Sequence, residues 1–538
     1  MKLVLFIVKS SWQKLLIGAI GSAIAGLCYA YAVKLLNTLI GSSSESSALF
    51  IEMSGIIVLS TSLSIITGYY LTQLFEEKIS DLRVDLSRKI LQADFETVER
   101  NAFKIIPVLH YDVNNIGSFA KTIPDVLVAV FKIAAIWTYM FLLSWQLTLS
   151  IITVFLLVFL FAFVLLPTFH RIEKDIQRER NVLYRHLLGL VNGIKELTLN
   201  RVHQKNYVED TINPTSYKHA RHISIINSLN ILVTKSAELI VIVGIGIIII
   251  VLKSSASFSS EVFLDFLTLV LFILPSLIII TSFARSLKKV DASLEQVFSL
   301  GLEFDDYRHA IGNAKLPYHS HSEAPLISLQ EVTYHYGTPD SNTYKVGPFN
   351  LSIYENELLF INGGNGSGKT TLAKLLTGLY MPESGQINYQ EQKINETNLF
   401  EYRNLFAATF TDSHVFQDLR YLSTRVNESE MQKKSALLGI EDKIEVDQFN
   451  ISAVDLSFGQ RGRLTLLRVL LEDQPIYLFD EWAANQDPYF RSKFYHEILP
   501  DLKSKGKTII VISHDDQYYH LADRLITLSS GNITTFSG

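Results

Sequence analysis

Along the chain, the pattern of apolar and polar positions changes character near residue 285. Before that point, six stretches run about 20 residues or more with few charges: 15–40, 49–73, 124–144, 146–169, 229–252 and 262–284. A helix needs about 20 such residues to cross a membrane, because each adds about 1.5 Å toward a hydrocarbon core about 30 Å thick. The runs "LTLSIITVFLLVFLFAFVLL" and "LIVIVGIGIIIIVL" are the clearest. Six such runs predict a membrane domain rather than buried helices of a soluble protein. Between them, "EEKISDLRVDLSRKILQADF" and "RIEKDIQRERNVLYRHLLGLVNGIKELTL" keep apolar residues at helical spacing. They predict helices that run on beyond the membrane and carry force to a partner domain.

After residue 308 the pattern shifts. The stretch 309–325, "HAIGNAKLPYHSHSEAP", is polar, holds two prolines and predicts a linker. From 326 to 538, short apolar runs alternate with Gly-rich turns and helical patterns, which predicts an α/β domain. The expected fold is therefore a six-span α-helical membrane domain over 1–308, fused to an α/β domain over 326–538.

Charge sets the expected orientation. The segments 41–47, 144–145 and 253–261 carry one Lys between them. The segment 75–123 carries Lys78, Arg83, Arg88, Lys89, Arg100, Lys104 and Lys121, and 170–228 is richer still. Basic loops stay on the cytoplasmic side. Both termini are thus expected in the cytoplasm of a multi-pass protein of the cytoplasmic (inner) membrane, with 1–11 as a short amphipathic segment on the inner face. The N-terminus has no small-residue cleavage site, and its apolar run outlasts a signal peptide.

Composition narrows the function. Hydrophobic residues make up 48% and charged residues 19%, and the net charge is −5. Such a balance names no polyanionic partner, so nucleic acid is not expected. Cys28 is the single cysteine, which excludes a disulfide framework, a Cys-based zinc site and an attached cysteine-peptidase module. Charges inside the spans have two readings. Lys132, Lys235, Glu238, Glu52 and Asp265 either line a polar cavity or lie on helix ends in water. Lys235 and Glu238, three apart, share a helix face and can pair.

The polar half carries the chemistry. "INGGNGSGKTTLAKLL" matches G-x-x-x-x-G-K-[ST] from Gly363 to Thr370, between an apolar strand and a helix. Gly363, Gly364, Asn365, Gly366, Ser367 and Gly368 turn backbone N–H groups around phosphate oxygens at a helix N-terminus. Lys369 reaches the β- and γ-phosphates, Thr370 holds Mg²⁺ and Thr371 continues the cradle. "PIYLFDE" is an apolar strand ending on Asp480, a Mg²⁺ carboxylate, and on Glu481, placed to polarise water. After a second apolar strand, "SHDD" offers His514 to the γ-phosphate. "DLSFGQRGR" makes a second anion cradle from Ser457, Gly459 and Gln460. One nucleotide does not need two cradles unless two copies of the chain sandwich it.

Taken together, these residues resemble an ATP-binding cassette transporter, and the resemblance implies an α-helical six-span membrane domain of ABC exporter type fused to an α/β P-loop nucleotide-binding domain, as in exporter-type half-transporters. "GGNGSGKTT" resembles the Walker A loop, "LSFGQ" the signature, "YLFDE" Walker B, "ANQD" the D-loop with Asp487, and "SHDD" the H-loop. The resemblance implies that Tyr336 stacks on adenine and that ATP lies between Lys369 of one subunit and Ser457 of a second. It therefore implies a homodimer, ATP and Mg²⁺. A narrower likeness, in "DEWAANQDPYFRSKFYHEILPDLKSKGKTIIVISHDDQYYHLADRL", "KELTLNR" and the Walker A region, is to the cyclic-peptide exporter family of pyoverdine- and syringomycin-type secretion proteins and lasso-microcin exporters. It implies ATP-driven export of a small cyclic or modified peptide, or a peptide siderophore, by a protein surrounded by membrane lipid. Two positions depart from the general pattern: Phe458 replaces the signature's glycine, and Thr411, before Asp412, stands where a glutamine completes the Mg²⁺ shell. Gln417 is a weaker substitute. Siderophore uptake, lipid flipping and a non-transporting peptide sensor or immunity module are the alternatives.

Overall fold

The computed structural model describes residues 2–41, 47–254, 260–300, 324–336, 344–447, 449–453 and 456–537. Most of the 309–325 linker, and the side chains of 1–11, lie outside the described residues. Two compact units form, Met1–Glu303 and Phe304–Gly538.

The first unit is helical. Its elements are α1 (Lys2–Gly41), α2 (Ser47–Gln92), α3 (Phe95–Pro107), α4 (Val113–Ala120), α5 (Ile123–Leu143), α6 (Trp145–Asn192), α7 (Ile194–Leu199), α8 (Arg201–Asn206), α9 (Asn213–Ser254) and α10 (Ser260–Phe298). Among the described residues, six helical stretches are long and apolar enough to cross a membrane. At about 1.5 Å per residue, the 46 residues of α2 and 48 of α6 extend about 70 Å, more than twice a membrane core. Each therefore carries a span and a polar extension in one helix. Leu156, Leu157, Phe159, Leu160, Phe163 and Val164 of α6 are exposed, as expected of a surface whose solvent is lipid.

Local chemistry sets the breaks between helices. Ser144 is extended, and its hydroxyl accepts from the Leu147 N–H, so α5 and α6 turn over one residue. Beyond Gly193, Asn200 caps α8 by accepting from the His203 N–H at 3.0 Å. "KELTLNR" occupies this bend between α6 and α9. A π-helical turn at Val108–Asp112 joins α3 to α4.

The second unit is layered. Its elements are β1 (Ile327–His335), β2 (Lys345–Ile353), β3 (Leu358–Gly363), α11 (Lys369–Leu376), β4 (Ser384–Tyr389), β5 (Gln392–Lys393), α12 (Leu399–Arg403), β6 (Phe406–Thr409), α13 (Glu428–Leu437), β7 (Ile444–Asp447), β8 (Asn450–Ala453), α14 (Phe458–Glu472), β9 (Ile476–Asp480), α15 (Pro488–Lys493), α16 (Leu499–Ser504), β10 (Thr508–Ile512), β11 (Arg524–Ser529) and β12 (Asn532–Ser537). Strands β2-β1-β4-β5 form an antiparallel sheet, and β12-β11-β3-β10-β9-β6 form the main sheet. In the main sheet only β12 is antiparallel. Every residue of β9 and β10 is buried, as parallel strands covered on both faces require. Phe360, Phe479, Phe494 and Tyr495 fill the core between sheet and helices. Truncating Phe479 to alanine there costs about 3–5 kcal/mol.

Candidate functional site

Four parallel strands end at one edge of the main sheet. Ile512 of β10 pairs with Asp480 of β9 and with Ile361 of β3, and Thr409 of β6 pairs with Phe479. The loops after Gly363, Thr409, Asp480 and Ile512 therefore open side by side, where ligands bind in open α/β sheets.

The loop after β3 is shaped for a phosphate. Gly366 and Gly368 have φ of +75° and +100°, a region that favours glycine. At Gly363 a Cβ would lie 2.5 Å from the Leu528 carbonyl oxygen and 2.6 Å from Ser367 Oγ. Gly364, Asn365, Gly366 and Thr370 are exposed, while Ser367, Lys369 and Thr371 are buried. The Lys369 ammonium folds back on the loop, donating to the Gly363 carbonyl at 2.9 Å and the Gly364 carbonyl at 3.2 Å. Those are neutral acceptors, so an anionic phosphate oxygen would form the stronger, charge-assisted bond.

Glu481 stands next to that ammonium. Its φ of 53° and ψ of 27° are left-handed, which costs a non-glycine residue about 1 kcal/mol. Its N–H holds the turn by donating to the Ile512 carbonyl at 3.0 Å. The turn brings Oε1 to 3.5 Å from Lys369 Nζ and 3.2 Å from His514 Nε2. The Glu481 and His514 side chains are 28% and 42% exposed, whereas Lys369 is 5% exposed. A carboxylate bridging a buried cation and an open histidine can orient and deprotonate a water.

Asp480, the residue before it, is treated in the opposite way. It is fully buried, and neither carboxylate oxygen has a well-formed hydrogen-bond partner. Burial above all pushes its carboxyl up to about 6; Glu481 and Asp412 add to the rise, and the Thr370 hydroxyl and Lys369 charge oppose it. Unpartnered carboxylate oxygens beside a threonine hydroxyl are hard oxygen donors that suit Mg²⁺, which takes one or two protein ligands plus phosphate oxygens. Thr411 is exposed and contributes nothing visible to this cluster; Asp412, its neighbour, acts on Asp480 by charge. Gln417 is exposed, and its backbone carbonyl accepts from the Ile451 N–H at 2.7 Å.

The signature helix forms a separate corner. Ser457 caps α14: its Oγ accepts from the Gln460 N–H, and its own N–H donates to Gln460 Oε1 at 2.8 Å. Trp482 Nε1 donates to the Gly462 carbonyl at 2.7 Å, and Gln486 Nε2 donates to the Gly459 carbonyl at 3.2 Å. The segment after Glu481 is thereby tied to α14. Asp487 caps α15, accepting from the Phe490 N–H at 3.0 Å. Among the described residues, no hydrogen bond or ion pair joins Ser457, Gly459 or Gln460 to residues 363–371 of the same chain.

Tyr336 lies against the phosphate loop, its hydroxyl 2.8 Å from Thr371 Oγ1 and its ring edge-on to Tyr334 at 5.2 Å. Two further residues carry no signal in the sequence. Tyr344 donates its hydroxyl to the Gly366 carbonyl, a contact that depends on β2 returning beside β1. Arg491 donates to the Ala484 and Gln486 carbonyls and to Asp515, joining the segment after Glu481 to the one after His514. A groove of about 720 Å³ lined by Arg403, Tyr421, Arg425, Arg468 and Glu472 lies elsewhere in this unit. It shares no residue with the Lys369–Glu481–His514 cluster.

Comparison with known proteins agrees with this geometry. The profile "ABC transporter" matches residues 346–484, and "ABC transporter transmembrane region" matches 14–277. "ATP-binding protein SyrD" of Pseudomonas syringae pv. syringae is 33% identical over 470 residues, covering 84% of this chain and 82% of that protein. "ATP-dependent lipid A-core flippase" of Burkholderia thailandensis is 24% identical over 487 residues, covering 87% and 79%. A solved structure, "Structure of a bacterial Atm1-family ABC exporter with ATP bound", superposes with a TM-score of 0.76 at 16% identity, covering 99% of this chain and 95% of that one. Membrane spans and a loop shaped for phosphate thus occur in one chain whose likeness to such proteins extends over both units, and it belongs to the ABC transporter family as a multi-pass, ATP-hydrolysing exporter.

Proposed function

We propose that the protein exports a small cyclic or otherwise modified peptide, or a peptide siderophore, across the cytoplasmic membrane. It works as a homodimer with both termini in the cytoplasm, and with 1–308 as the membrane domain and 326–538 as the cassette. The likeness of 480–525, of "KELTLNR" and of the Walker A region to the cyclic-peptide exporter family is the observation that carries this cargo class, and the match to SyrD over most of both chains supports an exporter of that kind. Separation of the Ser457 corner from the Lys369 loop within one chain supports the dimer: a second copy supplies the other half of each ATP site.

In each site, backbone N–H groups of 364–368 and the Lys369 ammonium hold the β- and γ-phosphates, with Tyr336 at the adenine. Asp480 and Thr370 would hold Mg²⁺, which would supply charge neutralisation at the phosphates. Glu481 takes a proton from the attacking water, and His514 holds Glu481 and the γ-phosphate in place. Ser457 and the Gly459 N–H of the second copy close over the γ-phosphate, and Asp487 keeps the adjoining turn rigid. Two sites closing together turn the membrane cavity outward, and hydrolysis resets it.

The experiment is ATP-dependent accumulation of a labelled cyclic peptide in inside-out vesicles, beside Glu481→Gln. Accumulation lost in the variant is expected. Accumulation only in right-side-out vesicles would mean uptake. The flippase relatives favour a second reading, lipid translocation. Stimulation of ATPase by lipid and not by peptide would select it.

A further inference from the structure

Lys132 sits on α5 with nine residues before it and eleven after it within Ile123–Leu143. At about 1.5 Å per residue it lies about 14 Å from one end and 16 Å from the other, near the middle of a core about 30 Å thick. An ammonium facing hydrocarbon at that depth is strongly unfavourable. The side chain is only half-buried, so its open side meets a passage or its contents rather than lipid tails.

Helices α1, α5 and α10 meet around it. A Cβ on Gly26 of α1 would come 2.9 Å from the Lys132 backbone nitrogen, so the two helices approach closely. Three residues on, along the same face of α1, the Tyr29 ring centroid lies 3.7 Å from Lys132 Nζ. That ring meets Phe272 of α10 edge-on at 5.9 Å. A ring face attracts an ammonium without neutralising it. Among the described residues, no carboxylate pairs with Lys132 and the Tyr29 hydroxyl makes no hydrogen bond. Lys235 of α9 shows the contrast, donating to Glu238 at 2.8 Å.

Building on the peptide-export reading, we propose that Lys132 and Tyr29 form a binding point for a carboxylate carried by the transported peptide. The carboxylate accepts from the ammonium and from the phenol, two charge-assisted bonds in a setting of low dielectric. The Tyr29 ring holds the ammonium in position beforehand. A neutral cargo would leave that charge without a partner.

The test uses inside-out vesicles carrying the full chain and an equimolar pair of cyclic hexapeptides that differ only by Asp against Asn. Lumenal contents are read by mass spectrometry after ATP is added. Wild type should enrich the acidic peptide roughly tenfold, the scale of one charge-assisted bond. Lys132→Met should abolish the enrichment and Lys132→Arg should retain it. Lys132→Met removes an unpaired charge from the span, so its insertion is not at risk. Lys132→Glu should favour the Asn peptide.

Equal accumulation of both peptides by wild type, or enrichment unchanged in Lys132→Met, overturns the binding point and leaves peptide export standing. Accumulation of neither peptide overturns the cargo reading and this inference with it. Labelled phosphatidylglycerol in the same vesicles provides a second arm. If Lys132→Met stops its flipping while peptide selectivity is unchanged, the anionic group belongs to a lipid and the peptide assignment falls.

Discussion

Two ion pairs, one in each unit, show opposite uses of charge. In the helical unit, Arg180 of α6 donates to both carboxylate oxygens of Asp112 at 3.1 and 3.0 Å. The pair is nearly sealed from water, and Asn115 and Gln177 gather beside it on Ser293 of α10. In the cassette unit, Glu481 contacts the buried Lys369 and the exposed His514 while part of its own side chain stays open to water. The first pair fastens three helical elements together. The second leaves a carboxylate reachable by a reactant. A closed pair is worth packing and an open one is worth chemistry, and substitution should separate the two.

The largest effect is expected at Glu481. Glu481→Gln should lower ATPase activity by about 10²–10⁴-fold, the usual contribution of a general base. Nucleotide binding, followed by equilibrium dialysis, should hold. Wild-type turnover in that variant would make Glu481 another structural partner and erase the contrast. Asp112→Ala should do the reverse. It strands a mostly buried guanidinium, at a cost of about 3 kcal/mol. Thermal unfolding in detergent should shift downward while ATP binding holds. Asp112→Leu with Arg180→Met should recover most of the loss, since an apolar replacement for a buried pair is often neutral. A melting curve unchanged in Asp112→Ala would remove the packing role.

The two pairs also differ in how far the sequence announces them. Lys369, Asp480 and Glu481 were legible because each follows a short apolar strand, and strand–loop–helix geometry is local. Lys235 and Glu238 were legible because three residues of helix bring side chains to one face. Asp112 and Arg180 are 68 residues apart, on a π-helical turn and on α6. Their meeting depends on helix rotation and on an extra residue in one turn, and neither leaves a periodic mark. The same holds for Lys132: its presence in a span was plain, but not the ring of Tyr29 beneath it. Tyr344 was missed because its contact arises from strand return.

Trp482 lies between the two kinds. Its ring packs on Phe494 at 4.7 Å, and its Nε1 ties the residue after Glu481 to the Gly462 carbonyl of α14. Trp482→Phe keeps most of the packing and loses the bond, so the cassette should be destabilised by about 1 kcal/mol. If the tie also positions Glu481, ATPase should fall several-fold with ATP binding unchanged. A drop in stability alone would assign Trp482 to packing.

Phe458 gives the smallest effect and the sharpest distinction. It is 59% exposed at the first position of α14, and the Arg461 guanidinium, 5.9 Å from its ring centroid, is the nearest charge shown over it. An exposed side chain with so little packing behind it contributes little to the stability of its own chain, so Phe458→Ala should stay within about 0.5 kcal/mol of wild type. An aromatic of that size at the signature helix has its use in what meets that helix from outside, and in a sandwich dimer that is the γ-phosphate side of the second copy. The variant should therefore change ATP-dependent dimerisation of a Glu481→Gln background, read by size-exclusion with light scattering, without moving the melting curve. A melting shift with no change in dimerisation would return Phe458 to the packing of its own chain.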